Sequence, residues 1–278
     1  MTERPPILRD HSLDAATARD LQDTARALVL AARAETLPLF RAAGLTADNK
    51  GATGFDPVTE ADRAAERAMR EVLAQRRPQD AIRGEEYGAT PGSSGFTWVL
   101  DPIDGTRAFV SGLPTWGTLI AVCTKDGPVH GVIDQPFTGE CWEGGAVPAR
   151  HDGPHGGRAL ATRAARPLSE AILFTTFPEI GTPEERAGFV RVSERVKLTR
   201  YGTDCYAYGL LAMGQIDLVI EAGLNDYDVC APIAVIEAAG GRVTDWTGGP
   251  AHHGGRIVAA ANAEIHAEAL ALLGEDSR

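Results

Sequence analysis

At 278 residues, with 44% hydrophobic and 23% charged content, the chain has an ordinary globular composition. It is long enough to bury a substantial core, as one large domain or two lobes. Its 27 basic against 38 acidic residues leave a formal charge of −11, which argues against nucleic acid or an anionic membrane surface as the main partner. An anionic substrate stays open, because a bound metal inverts the local field. No run approaches the ~20 apolar residues of a membrane span. Residues 1–6 lack the apolar stretch of a signal peptide, so a cytoplasmic protein is expected. Cys123, Cys141, Cys205 and Cys230 are scattered with no Cys-x-x-Cys pair, and reduced thiols are expected.

Ser12, Leu13 and Asp14 open a predicted helix in which Leu13, Ala16, Leu21, Ala25, Leu28, Val29 and Ala32 recur at helical spacing, interrupted by Thr17. It should run to about Phe40 or Ala43, with Pro38 as its weak point. Residues 44–54, polar and with three glycines, read as a loop. Asp56-Pro57-Val58-Thr59-Glu60-Ala61-Asp62 then leads into a second helix with Ala61, Ala65, Ala68, Met69, Val72 and Leu73 on its apolar stripe. Thr59 and Asp62 fit a capping box, which accounts for both without any catalytic role; it does not account for Asp56 beside them. After Arg76-Arg77-Pro78 comes Gly84-Glu85-Glu86-Tyr87-Gly88, read as a short extended segment on which adjacent acids point to opposite faces. Alone, such a pair is a solvated acidic face.

Trp98-Val99-Leu100-Asp101-Pro102-Ile103-Asp104-Gly105-Thr106 is the stretch the rest serves. A buried strand should end here, with two carboxylates at its C-terminal edge and a helix start behind them. Such an edge can hold a hard cation through Asp oxygens and an anion through helix amides. A plain turn is the alternative, since Asp-Pro and Asp-Gly are turn dipeptides. Residues 116–124, 128–134 and 140–143 follow as predicted antiparallel strands, broken at Asp126-Gly127 and Thr138-Gly139.

The Gly/His-rich stretch 151–157 is the expected boundary between an N-terminal α+β lobe, 1–150, and a C-terminal α/β lobe, 151–278. His151 and His155, like His252 and His253, are read as solvated loop residues. Beyond Ala159 the pattern predicts strands at 171–175, 216–220 and 257–260, and helices at 183–196, 205–213, 229–239 and 263–273. There is no P-loop, dinucleotide fingerprint or Gly-x-Ser-x-Gly elbow. Glu221 ends a predicted strand, and Asp228 stands where the next helix begins, as an N-cap would. Acids at the ends of elements, without a catalytic Cys or a credible His cluster, suggest Mg²⁺ held through oxygen.

Asp56–Asp62, Gly84-Glu85-Glu86, Trp98–Thr106 and Tyr227-Asp228-Val229, the last ahead of an apolar helix ending at Gly240-Gly241, resemble in order the motifs of the inositol monophosphatase family. That is a group of Mg²⁺-dependent phosphatases, and the similarity spans about residues 15–270. The resemblance implies a mixed α/β fold, a layered αβαβα sandwich, with two or three Mg²⁺ ions per active site and a homodimeric assembly. It implies Glu85, Asp101, the Ile103 carbonyl, Asp104 and Asp228 as metal ligands. Gly105 and Thr106 amides would hold phosphate, and Thr106 with Glu85 would orient and activate a water. Asp62 would support them, its capping and catalytic readings both open. The reaction implied is in-line hydrolysis of a phosphate monoester without a phosphoenzyme.

Arg107–Ile120 and Gly131–Pro136 resemble the histidinol-phosphate phosphatase branch, whereas Arg107-Ala108 and Cys230-Ala231-Pro232 depart from the inositol pattern. The substrate so implied is L-histidinol phosphate, in histidine biosynthesis. Glu221 and Asp226 would suit its ammonium and imidazole, although a solvated Asp226 and a strand-ending Glu221 are the plain alternative. Arg107 would steer phosphate or form a surface salt bridge. Inositol-1-phosphate is the nearest alternative substrate and a nucleotide 3′-phosphate a further one. A catalytically idle regulator that binds a phosphorylated ligand is the alternative of another class.

Overall fold

The computed structural model describes residues 13–43, 48–49 and 57–274. The loop expected over 44–54, and Ser12 and Asp56, fall wholly or largely outside them. The chain opens with α1 (Ala15–Thr36), whose N-cap Asp14 accepts the Ala16 and Thr17 amides. The helix stops two residues before Pro38, short of the expected Phe40, because proline supplies no N–H to continue the ladder. Short strands β1 (Asp48–Asn49) and β2 (Pro57–Val58) pair antiparallel. α2 (Glu60–Arg76) follows, its predicted capping box intact.

Next come β3 (Ala81–Gly84), β4 (Gly88–Thr90), β5 (Thr97–Asp104), the short helix α3 (Thr106–Ser111), β6 (Gly117–Thr124), β7 (Gly127–Gln135), β8 (Glu140–Gly145), β9 (Arg150–Asp152) and β10 (Arg158–Ala159). The strands make an eight-stranded sheet in the order β10-β9-β8-β7-β6-β5-β3-β4, antiparallel except where β3 runs alongside β5. The stretch 151–157 is therefore the end of β9 and its turn into β10, inside the first sheet. His151 is not a solvated loop residue: it is 7% exposed, 3.3 Å from Glu140 and against the Trp142 ring.

The second half runs β11 (Ile172–Thr175), α4 (Pro183–Ser193), β12 (Leu198–Tyr201), α5 (Tyr206–Ala212), β13 (Leu218–Leu224), α6 (Asp226–Ala238), β14 (Arg242–Asp245), β15 (Gly255–Ala260) and α7 (Ala263–Leu273). Its five-stranded mixed sheet has the order β12-β11-β13-β15-β14. β12 and β14, short edge strands, were not legible as strands in the sequence.

Side-chain alternation along the central strands builds the layers. Trp98 and Leu100 of β5, with Ile120 and Val122 of β6, pack against α1 and α2 through Leu21, Leu28, Met69 and Leu73. Val99, Leu119 and Ala121 point the other way, into a core shared with α5, α6 and the inner face of the second sheet. α4 and α7 cover the far face of that sheet through Phe189, Val192, Ile265 and Leu273. The result is the expected helix–sheet–helix–sheet–helix sandwich. α1 is further clamped by Arg33, which donates two hydrogen bonds (2.9 and 2.6 Å) to fully buried Asp134 of β7. No helix among the described residues is long and apolar enough to cross a membrane.

Candidate active site

Asp101 and Asp104 are three residues apart, so a regular strand would aim them at opposite faces. The β5–β6 pairing shifts register between them, and Pro102 has no N–H to donate to the ladder. The irregularity lets both carboxylates serve one place. Asp228 joins them: oxygens of Asp101, Asp104 and Asp228 lie within 4.8 Å of one another. Asp104 is fixed from the far side by the Cys205 amide, which donates to its Oδ2 at 2.7 Å just ahead of α5. Asp228 is not the N-cap of α6 but the helix's third residue, the N3 partner of Asn225 in a capping box, its Oδ2 accepting the Asn225 amide at 2.6 Å.

Glu85 lies on the tight turn between β3 and β4, not on an extended segment. The turn is held by Glu66, a fully buried acid that accepts the amides of Glu86 (2.7 Å) and Tyr87 (3.2 Å) and pairs with Arg70 Nε at 2.8 Å. A Cβ at Gly84 would stand 1.9 Å from Glu66 Oε1, so glycine is required there for the acid to reach the turn. Sequence reasoning missed Glu66; its signal was a charge four residues after Asp62 on the buried face of α2.

Thr106 begins α3 after Gly105, which is left-handed at φ 82°. Its hydroxyl lies 3.1 Å from the Ile103 carbonyl and 3.4 Å from Asp62 Oδ1, both acceptors. Asp62 Oδ2 meanwhile accepts from the Thr59 amide and hydroxyl at 2.8 and 2.6 Å. The two readings of Asp62 are thus compatible, one oxygen for each.

The cavity beside these groups, about 300 Å³, is lined by Glu85, Asp104, Gly105, Thr106, Arg107, Glu221 and Asp228 among the residues predicted from sequence. Arg107 stacks over Phe177, its guanidinium 4.8 Å from the ring centre. Glu221 sits where the β13–β15 register slips, and the strand continues to Leu224 instead of ending at it. Its carboxylate accepts from the Thr176 amide (2.7 Å), Thr176 hydroxyl (3.0 Å) and Thr175 hydroxyl (3.1 Å). Asp226 does not join the cavity; it turns outward to Arg83, at 3.1 Å.

Asp204 does join it, and was missed. It holds φ 44°, uncommon for a residue with a side chain, and packs so tightly that a Cβ on Gly105 would lie 2.7 Å from its carboxyl carbon. The Thr115 hydroxyl donates to it at 3.1 Å. In sequence, Gly202-Thr203-Asp204 before an apolar helix resembles an ordinary cap, which hid it.

Burial pushes the cluster's carboxyls upward. For Asp101 the neighbouring Glu85 charge adds to it, and for Asp104 the Asp228 charge. Burial takes Asp228 and Asp204 each to about 6 and Glu221 to about 7, against the hydrogen bonds they accept. Asp101 Oδ1 is buried with no protein partner. Converging buried carboxylates with an orphaned oxygen fit a hard divalent cation, whose charge would reverse those shifts.

A protein-family comparison matches residues 17–277 to the inositol monophosphatase family. The chain is 44% identical over 227 residues to the chloroplastic bifunctional phosphatase IMPL2 of Arabidopsis thaliana, covering 78% of this chain and 65% of that one. It is 34% identical over 254 residues to a histidinol-phosphatase of Mycobacterium tuberculosis, covering 90% and 97%. Among solved structures, an inositol monophosphatase from Zymomonas mobilis superposes with a TM-score of 0.81 at 38% identity, covering 94% and 99%. The chain belongs to the inositol monophosphatase family and is a phosphatase of that family.

Proposed function

We propose that the protein is a Mg²⁺-dependent histidinol-phosphatase, converting L-histidinol phosphate and water to L-histidinol and phosphate. The observation that carries this reading is acid in excess of the cation cluster: Asp204 and Glu221 line the same cavity as Asp104 and Asp228. An inositol ring offers hydroxyls alone, against which two further desolvated carboxylates have no counter-charge. Histidinol phosphate brings an ammonium and a titratable imidazole, which those carboxylates can pair. The similarity to the mycobacterial histidinol-phosphatase over 90% of the chain supports the same substrate.

Glu85, Asp101, the Ile103 carbonyl, Asp104 and Asp228 would hold Mg²⁺, which when bound supplies positive charge against the phosphoryl oxygens and acidifies a water. The Thr106 hydroxyl, with its proton directed at Asp62 or the Ile103 carbonyl, keeps a lone pair with which to accept from and orient that water. Glu85, which lines the same cavity, would take the water's proton. The amides of Gly105 and Thr106, at the start of α3, receive a phosphoryl oxygen. Asp204 and Glu221 bind the cationic alcohol.

Inositol-1-phosphate is the competing reading, favoured by the 38% identity to the Zymomonas protein. Phosphate release from both monoesters, with Mg²⁺ and with EDTA, separates the two. A kcat/KM preference of ~100-fold or more for histidinol phosphate, about 2.7 kcal/mol at the transition state, is expected. Comparable rates or an inositol preference would overturn the substrate while leaving the cation cluster in place. Absence of Mg²⁺-dependent release from any monoester would favour a regulator that binds without turnover.

A further inference from the structure

Among the cavity's side chains that these steps leave unused is that of Tyr208. α5 begins at Tyr206, next to the Cys205 amide that holds Asp104, and carries Tyr208 against the cavity wall. Tyr208 is 4% exposed, and its hydroxyl is buried without a hydrogen-bond partner in the protein. Buried tyrosine hydroxyls ordinarily find one, and leaving such a group unpaired is destabilising. Packing does not explain the oxygen: the ring belongs to the core between the two sheets, where phenylalanine would bury the same apolar surface. The carboxylates whose charge acts on Tyr208 are Glu221 first, then Asp104 and Asp228, all of which line the cavity. Tyr208 lines the same cavity as Glu221 and Asp104, and its hydroxyl is left without a partner there, which makes a ligand group the natural acceptor.

Its chemistry complements its neighbours. Asp104, Asp204, Glu221 and Asp228, when ionised, only accept hydrogen bonds, so they recognise donors on a ligand. The Thr176 hydroxyl is already engaged with Glu221, and Arg107 lies over Phe177. An acceptor on the alcohol half of the substrate needs a protein donor, and Tyr208 offers one on a rigid ring. We propose that Tyr208 is a specificity-determining residue whose hydroxyl donates a hydrogen bond to an acceptor oxygen or nitrogen on the alcohol half of the substrate. For histidinol phosphate that acceptor is the unprotonated imidazole nitrogen; for a polyol phosphate it is a ring hydroxyl.

The inference rests on this cavity being the phosphatase site, and not on which monoester is preferred. Wild-type preference between histidinol phosphate and inositol-1-phosphate tests the substrate reading by itself. Tyr208 is then judged on whichever monoester the wild type prefers, using the Mg²⁺-loaded full chain. Tyr208→Phe is expected to lower kcat/KM for that monoester by roughly 10- to 100-fold, mostly through KM. Inhibition by inorganic phosphate, which has no alcohol half, is expected to stay within about twofold of wild type, and the melting temperature should not fall. Unchanged KM, or equal weakening of inorganic phosphate and substrate, would overturn the proposal. So would failure to fold or a melting temperature more than about 5 °C lower, since the hydroxyl would then serve the fold.

Discussion

Asp62 holds the start of α2 with one carboxylate oxygen and stands 3.4 Å from the Thr106 hydroxyl with the other. The pair joins the helix on the outer face of the first sheet to the end of its central strand. If Thr106 aims the water and Asp62 aims Thr106, the two residues act as a unit. Thr106→Val and Asp62→Asn should each lower kcat by 100-fold or more, and the double variant should lose little beyond the worse single one. Asp62→Asn should also cost up to about 1 kcal/mol of stability through the weakened capping box. Steady-state kinetics on the three variants checks this. Losses that multiply would mean independent roles.

Gly84 and Glu66 make the second prediction. Because a Cβ at Gly84 collides with the buried Glu66 carboxylate, Gly84→Ala should shift the turn that carries Glu85. About 1–3 kcal/mol of stability should be lost. The Mg²⁺ concentration for half-maximal activity should rise at least tenfold, about 1.4 kcal/mol in cation affinity. Chemical denaturation and a Mg²⁺ titration measure the two effects.

The pH dependence follows from the sign of the shifts. Asp204 and Asp228 sit at about 6 against an ordinary 3.8, and Glu221 at about 7 against 4.5. The unfolded chain releases these protons at lower pH than the folded one, so metal-free protein should lose stability as pH rises from about 4 to about 7. Mg²⁺ favours the ionised forms of the cluster, so the gain in melting temperature on adding it should grow across the same window. Melting curves in EDTA and in Mg²⁺ at pH 5 and pH 7.5 test both signs. Equal Mg²⁺ gains at the two pH values would contradict the assignment.

Away from the site, Arg33→Ala would strand Asp134, which is fully buried. A loss of about 3–5 kcal/mol is expected, read by denaturant unfolding, with KM for substrate unchanged in the protein that remains folded.

Most of the long elements could be read from residue pattern, because they carry their own periodicity, whereas their layering was implied by the family resemblance alone. The Leu21, Ala25, Leu28 and Ala32 stripe, the apolar runs of β5 to β7 and the final helix all bury as the sequence predicts. Strands such as β9, β10, β12 and β14 hold two to four residues each, too few for a period to show. The acidic cluster of Asp101, Asp104 and Asp228 was legible because acids at strand ends have few structural explanations together. The cavity's further acids were legible only in part: Glu221 lines it as expected. Asp226 was chosen for its nearness in sequence to Asp228, yet its position on α6 turns it to Arg83. Asp204 lies 24 positions before Asp228 and reaches the cavity only because α5 packs between the sheets. Glu66 was masked by an apolar stripe; Glu85 was named as a site residue, but its turn was read as an extended segment.

The claim that surplus acid selects a cationic alcohol is tested most directly by comparing wild type and Asp204→Asn on histidinol phosphate and inositol-1-phosphate. Asparagine keeps the shape and removes the charge. The account predicts that kcat/KM for histidinol phosphate falls at least tenfold, about 1.4 kcal/mol, while that for inositol-1-phosphate holds or rises, so the ratio between them collapses. A ratio that stays at its wild-type value would contradict it.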